Sequence, residues 1–252
     1  MRKGKKKVSL QEIKGIKAAN KIIMSEPWHV PGGGLIREFV FGAEDGMLGT
    51  LGVVTGIVGA AITSDIVILA GIAEIVAGAF SMAAGTYLAT KSQIEFYNKE
   101  KEREKKEIDE LPWVEKKEIE ILYKAKGFKG RELKDIVNKI TSNKKIWLNI
   151  MMEEELGLVE SRFENPRKAA VLMSVSFIFG GILPLAPYFM FNTLTALVLS
   201  VILTITGLFC VGAGKTILTK GKWWKSGLEM LIAGGLAAVV AFLIGRAISG
   251  LG

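Results

Sequence analysis

The sequence predicts an all-α integral membrane protein with five transmembrane helices and a helical bundle inserted between the second and third. Two observations carry that prediction. Half of the 252 residues are hydrophobic and 23% are charged, and the two classes are segregated along the chain, as they are when apolar runs face lipid and polar stretches face water. Lysine and arginine then collect in alternate connections, the pattern of a chain threading a membrane.

Residues 1–38 open the chain with a basic arm, MRKGKKKVSLQEIKGIKAANK. It lacks the uninterrupted apolar stretch and small-residue cleavage site of a signal peptide, so it is expected to be mature sequence on the cytoplasmic side. PGGGL (31–35) reads as a flexible lead-in, because a phosphate-cradling loop would end in Lys-Ser or Lys-Thr. The apolar runs 39–62 and 66–90 supply the first two spans, since about 20 mostly apolar helical residues cross the hydrocarbon core. KSQIEFYNKEKEREKKEIDE (91–110) continues the second run without a breaker. One long helix is therefore predicted to leave the membrane and enter a polar domain, ending at Pro112.

Within that domain, 91–168, a second helix is predicted from about 112 to Gly127 and a third over 131–141. A fourth covers KKIWLNIMMEEELGLVE, before Pro166. Further spans follow at 169–190, 193–213 and 228–248, giving segments 1–38, 39–90, 91–168 and 169–252. The arm, the polar domain and GKTILTKGKWWKSG (214–227) hold lysines, whereas TSD (63–65) and YFMFNT (188–193) hold no basic residue. This alternation places the N-terminus and the polar domain in the cytosol.

Composition also removes function classes. The net charge of +8 comes from residues flanking apolar runs, not interleaved with exposed aromatics, so no nucleic-acid partner is expected. Cys210 is the only cysteine, which rules out an intramolecular disulfide or a cysteine cluster; it reads as a small packed hydrophobe. His29 is the only histidine, so a histidine-rich zinc or catalytic site cannot form within one chain. With no nucleophile context either, the chain is not expected to be an enzyme.

The acidic residues are more informative. Asp45, Gly49, Gly52, Gly56 and Gly59 share one helical face. Such small residues let another backbone approach, which fits a packing or dimer seam. A carboxylate within a span, however, costs about 2.5 kcal/mol or more at a helix centre and faces a partner or a water-filled path. Glu74, Gly78 and Met82 lie at i, i+4 and i+8 of the second span. The mid-span Glu74 must find a cation, a proton or a polar partner. A lone methionine is usually core filler, but beside two carboxylates its thioether favours softer transition metals over magnesium or calcium. In the polar domain Glu104 pairs with Glu107 on one helix and Glu115 with Glu118 on the next, while Met151, Met152 and Glu155 cluster on the last. The charge pattern alone fits a solvated, ion-paired face better than a carboxylate metal site; exposed paired methionines fit the metal site better.

Several long stretches resemble one known family, the vacuolar iron transporters, from about residue 29 to the end. REFVFGAEDGMLGTLGVVTGIVGA is similar to the family's first span and AGAFSMAAGTYLATKSQIE to its second, GGILPLAPY to its proline-containing turn and GLEMLIAGGLAAVVAFLIG to its last span. The resemblance implies a five-span homodimer that moves Fe2+ out of the cytosol in exchange for H+, with a cytosolic helical metal-binding bundle. Carried over position by position, Asp45, Glu74 and Met82 line a transport path between the two first spans. Glu104, Glu107, Glu115, Glu118, Met151, Met152 and Glu155 become the bundle's metal ligands. Fe2+ is then the substrate, with Mn2+, Zn2+ or other divalent transition metals as alternatives, and no organic cofactor is implied. The membrane would be vacuolar in a eukaryote and the cell membrane in a prokaryote.

The chain departs from the family in having Gly85-Thr86-Tyr87 for the usual Gly-Glu-Tyr, Gln93-Ile94-Glu95 for Gln-Arg-Glu, and Glu44-Asp45 for Asn-Asp. Two rival readings are a Mn2+ exporter and a membrane-tethered, ferroxidase-like storage bundle. The latter lacks the Glu-x-x-His pairs such sites use.

Overall fold

A computed structural model describes residues 33–60, 64–160 and 163–249; His29 and most of the basic arm lie outside them. Among the described residues every regular element is helical: α1 (Gly33–Gly59), α2 (Ser64–Glu110), α3 (Pro112–Ala125), α4 (Gly130–Thr141), α5 (Lys144–Ile150), α6 (Pro166–Leu185), α7 (Thr193–Thr219) and α8 (Trp223–Ser249). From Gly34 onward the chain folds as one unit.

Helices α2, α6 with its 3-10 extension to Phe189, and α7 as far as Ile217 are long and apolar enough to cross a membrane. The others of that length, α1 and α8, have 27 residues each, about 40 Å of helix. The unbroken α2 runs 47 residues, as the absence of a breaker before Pro112 predicts. It starts in the apolar layer and ends inside the polar domain, tying the two together.

Glycines set how closely the apolar helices approach. A Cβ on Gly42 would lie 2.6 Å from the Met173 carbonyl oxygen, and one on Gly46 would overlap the Phe177 carbonyl. On the facing helix, a Cβ on Gly180 would overlap the Ala43 carbonyl. Helices α1 and α6 thus cross backbone to backbone, a contact any side chain there would open. Asn165 caps α6, accepting hydrogen bonds from the backbone N–H groups of Arg167 and Lys168 at 3.0 and 3.2 Å, with Pro166 at the first helical position. Near the other end of α6, Ser200 of α7 donates a hydrogen bond to the Pro184 carbonyl at 2.6 Å.

The polar domain is held by an apolar cluster. Ile108 of α2, Ile119 and Tyr123 of α3, Leu133, Val137 and Ile140 of α4, and Trp147 of α5 pack together with Met151. Each such side chain contributes roughly 1.5–3 kcal/mol when fully buried. Leu133, Val137 and Ile140 recur at i, i+4 and i+7, so α4 buries one stripe and leaves its charges outside. Gly127, at φ 100°, turns the chain after α3 as expected.

Three expectations are corrected. The fourth domain helix does not continue to residue 160: α5 widens into a π-helical turn, Met151–Glu155, and Gly157 at φ 65° follows it. The helix that carries the first expected span starts at Gly33, ahead of residue 39, taking in Arg37 and Glu38, which pair with each other. Cys210 is exposed on α7 rather than packed, at the wall of an apolar cavity that it shares with Phe39 and Val40 of α1 and Leu172 of α6.

Candidate functional site

The acidic stretch of α2 divides into two faces. Lys91 pairs with Glu95 at 3.5 Å, Arg103 with Glu100 at 2.9 Å and Lys106 with Glu110 at 3.8 Å. These pairs form the solvated face that the charge pattern favours. Glu104 points elsewhere: it is 3% exposed and makes no ion pair among the described residues. Helix α3, brought alongside by the apolar cluster, presents Glu115, which is 4% exposed. One carboxylate oxygen from each of Glu104, Glu107 and Glu115 lies within 4.8 Å of the others.

The Glu104 and Glu115 carboxyl groups lie close enough to share a proton, and Glu104 Oε1 and Glu115 Oε2 are buried with no other hydrogen-bond partner among the described residues. Leaving such an atom unsatisfied costs roughly 1–3 kcal/mol or more for a charged group. A dication held by these oxygens would remove that cost. Glu107, half-buried, also has Arg103 at 3.7 Å.

Burial pushes the Glu115 carboxyl up to about 8, helped by the hydrogen bond to Glu104 and by the charges of Glu104, Glu118 and Glu107. Glu104 is raised by burial and by Glu155, Glu107 and Glu118, with the Glu115 hydrogen bond opposing. Glu155, at the exposed rim, is raised by partial burial and by Glu118, Glu115 and Glu107. Five glutamates from three segments therefore crowd one another, and without a cation Glu115, at about 8, holds its proton at neutral pH.

Met151 and Met152 lie on the π-helical turn beside Glu155 and are almost wholly buried, Met151 within the apolar cluster. The expectation of exposed methionines is corrected: the turn packs both inward. Glu154 ties this turn down, accepting hydrogen bonds from the Tyr123 hydroxyl at 3.3 Å and from Lys126. The Lys126 ammonium also lies 4.7 Å above the Tyr123 ring.

The residues expected to line a path are partly brought together. Glu74 reaches from α2 to α1, where its Oε1 would be 2.9 Å from a Cβ on Gly49, one turn beyond the half-buried Asp45. Met82 lies two turns along α2 from Glu74, with the buried Phe177 ring occupying the space where Gly78 lacks a side chain. Met82 lines a cavity of about 470 Å³ with Glu38, Met173 and Thr86. Met47 is buried in an apolar cluster with Ala43, Leu208 and Met230.

Residues 36–246 match the model of the VIT family. The chain belongs to that family. It is 34% identical over 221 residues to Vacuolar iron transporter 1 of Arabidopsis thaliana, covering 87% of this chain and 88% of that one. The Vacuolar iron transporter of Centaurea cyanus is 37% identical over 219 residues, 85% of this chain and 88% of the relative. That of Plasmodium falciparum (isolate 3D7) is 33% identical over 220 residues, 83% and 81% of the two chains. The family and these relatives are transporters, not enzymes.

Two residues of this VIT-family chain escaped the sequence reading. Glu38 is a carboxylate buried within the helix layer; its position seven residues before Asp45, on the same face, was the available signal. Glu154 had none, since its role depends on a π-helical turn.

Proposed function

We propose that the chain exports Fe2+ from the cytosol across a membrane, in exchange for H+, as a homodimer whose path runs between the two first spans. The observation that carries this reading is the buried glutamate pair with orphaned oxygens beside Glu107, in a chain whose relatives are named iron transporters. In this reading α1, α2, α6, α7 and α8 are the five spans, and the lysine distribution supports a cytosolic bundle and N-terminus. Homologue names and the acid-side release step support a vacuolar membrane in a eukaryotic cell; the cell membrane is the prokaryotic equivalent.

Glu104, Glu107, Glu115, Glu118, Met151, Met152 and Glu155 capture the ion, losing protons as it binds. Asp45 of α1 and Glu74 of α2, which meets α1 one turn beyond Asp45, then take it onward with Met82, and protonation of these carboxylates on the acidic side releases it. Proteoliposomes with an acidic interior should accumulate Fe2+, and Asp45→Ala should abolish uptake. Unchanged uptake by that variant would remove Asp45 from the path.

The trio of Glu104, Glu107 and Glu115 offers oxygen donors only, which favours Mn2+ as a second substrate. Competition between Fe2+ and Mn2+ in the same vesicles separates the two.

A further inference from the structure

Four lysines line a cavity of about 690 Å³ between α2 and α5, Lys101 and Lys105 from the first helix, Lys144 and Lys145 from the second. Glu102 and Asp109 also line it, which leaves a surplus of two positive charges, and Ile108 and Leu148 add apolar surface. The volume is that of a small-molecule site. Elsewhere on α2 the lysines pair along the helix, Lys91 with Glu95 and Lys106 with Glu110. Around the cavity the pairing is different. Lys101 reaches Glu160 at 3.1 Å, 59 positions away, and Lys144 of α5 reaches Asp109 of α2, joining the two walls. Lys105 and Lys145, both exposed, make no ion pair among the described residues. Like charges gathered around one space repel each other, so the cavity favours an anion that neutralises them.

Side-chain type and position narrow the choice of anion. Lysine is a compact point charge that suits a phosphate group, whereas two-point recognition of a carboxylate calls for the planar fork of arginine. A surplus of two charges asks for more than one negative charge on the ligand. Lys101 and Lys105 stand 11 and 15 residues beyond Thr90, the end of the expected second apolar run, about 16–22 Å along a helix. The headgroup layer reaches only about 5–8 Å past the hydrocarbon core. A lipid headgroup therefore stops short of the cavity, and a soluble anion does not.

We infer that this cavity binds a soluble, multiply charged phosphate compound, with Lys105 and Lys145 as its main ligands and Lys101 and Lys144 adding to the field. Bound there, the anion ties α5 to α2. Helix α5 continues directly into the π-helical turn with Met151, Met152 and Glu155, and α2 carries Glu104 and Glu107, so the anion steadies both segments of the glutamate cluster. The site goes beyond the transport reading, and its test needs neither metal nor transport.

Inorganic tripolyphosphate, titrated calorimetrically into the metal-free full chain in phosphatidylcholine nanodiscs, should bind at about one anion per chain and raise the melting midpoint. Lys105→Gln combined with Lys145→Gln should weaken that binding roughly tenfold or more, the loss expected for two hydrogen bonds to a charged group. Both side chains are exposed, so this variant keeps the fold, and Lys105→Arg with Lys145→Arg should retain binding. Lys134→Gln with Lys139→Gln removes the same charge from exposed positions of α4 and should bind as wild type does. Equal weakening in the two glutamine pairs would reduce the effect to net charge and overturn the site, as would the absence of saturable binding. Phosphatidylinositol bisphosphate added to the nanodisc as a minor lipid should leave the titration unchanged; competition from it would make a lipid headgroup the ligand and overturn the soluble anion.

Discussion

Glu74 reaches across from α2 to α1 and rests against Gly49, its Oε1 2.9 Å from where a Cβ would stand. Gly49 thus makes room for a charged group and not for another backbone. The carboxylate is the free end of a flexible side chain, so Gly49→Ala should displace it with little loss of stability. A helical Ala is also favoured over Gly by up to about 1 kcal/mol, which offsets the crowding. We expect Fe2+ uptake to fall severalfold while the thermal midpoint in detergent stays within a few degrees. Full uptake by the alanine variant would mean that the position of Glu74 is unimportant to transport.

The Glu104–Glu115 pair makes metal binding pH-dependent, with a defined sign. Glu115 sits at about 8 in the folded protein, against an ordinary 4.5. In metal-free protein this raised group contributes stability that is complete below about 4.5 and is lost as pH rises towards 8, because the unfolded chain gives up the proton first. Metal binding runs the other way. Fe2+ must displace the Glu115 proton, so affinity should climb about tenfold per pH unit between pH 6 and 8 and level off above. Calorimetry at pH 7 in buffers of different ionisation enthalpy should detect nearly one proton released per ion, and Glu115→Gln should flatten the profile.

How much of this was legible beforehand differs by residue. The 47-residue α2 and the turn at Gly127 are local matters, settled by a missing breaker and a glycine. Glu104 and Glu107 were visible as a helical pair, but KEKEREKKEIDE does not reveal which glutamates meet lysines along the helix and which meet α3. That choice belongs to the Ile108, Ile119 and Trp147 core. Glu38 beside Arg37 looks like a solvated pair at a helix start. Its burial follows from the approach of α6 to Gly42 and Gly46, a contact between residues more than a hundred positions apart. The π-helical turn was hidden as well, because MMEEE carries no mark that separates it from a continuing α-helix.

That same approach predicts an asymmetry among the glycines. A Cβ on Gly46 would overlap the Phe177 carbonyl, which is backbone and cannot step aside, whereas one on Gly85 would meet nothing within 4 Å. Gly46→Ala should therefore destabilise the protein by about 1–3 kcal/mol, the usual cost of forced overpacking. Gly85→Ala should be neutral or stabilising by up to about 1 kcal/mol through helix propensity. Thermal unfolding of the two variants in one detergent, compared side by side, checks the pair; equal midpoints would contradict the backbone contact between α1 and α6.

Glu154 offers a test of whether the π-helical turn presents ligands or only ends a helix. Its carboxylate holds the turn through the Tyr123 hydroxyl and Lys126, and its neighbours on the same turn are Met151, Met152 and Glu155. The ion pair with Lys126 is partly exposed at both ends, so its net contribution to stability is at most about 1 kcal/mol. Loss of a group that orients metal ligands typically weakens metal affinity by about tenfold or more. Glu154→Ala should therefore lower Fe2+ affinity by about that factor with a small change in apo stability. Glu154→Gln, which keeps an acceptor for Tyr123, should recover part of it, and Tyr123→Phe should lose less than Glu154→Ala. Titration of each variant with Fe2+ under anaerobic conditions, paired with its metal-free melting curve, separates the outcomes. If affinity follows stability across all three, the turn is only a helix end; if affinity falls while stability holds, Glu154 positions the ligands beside it.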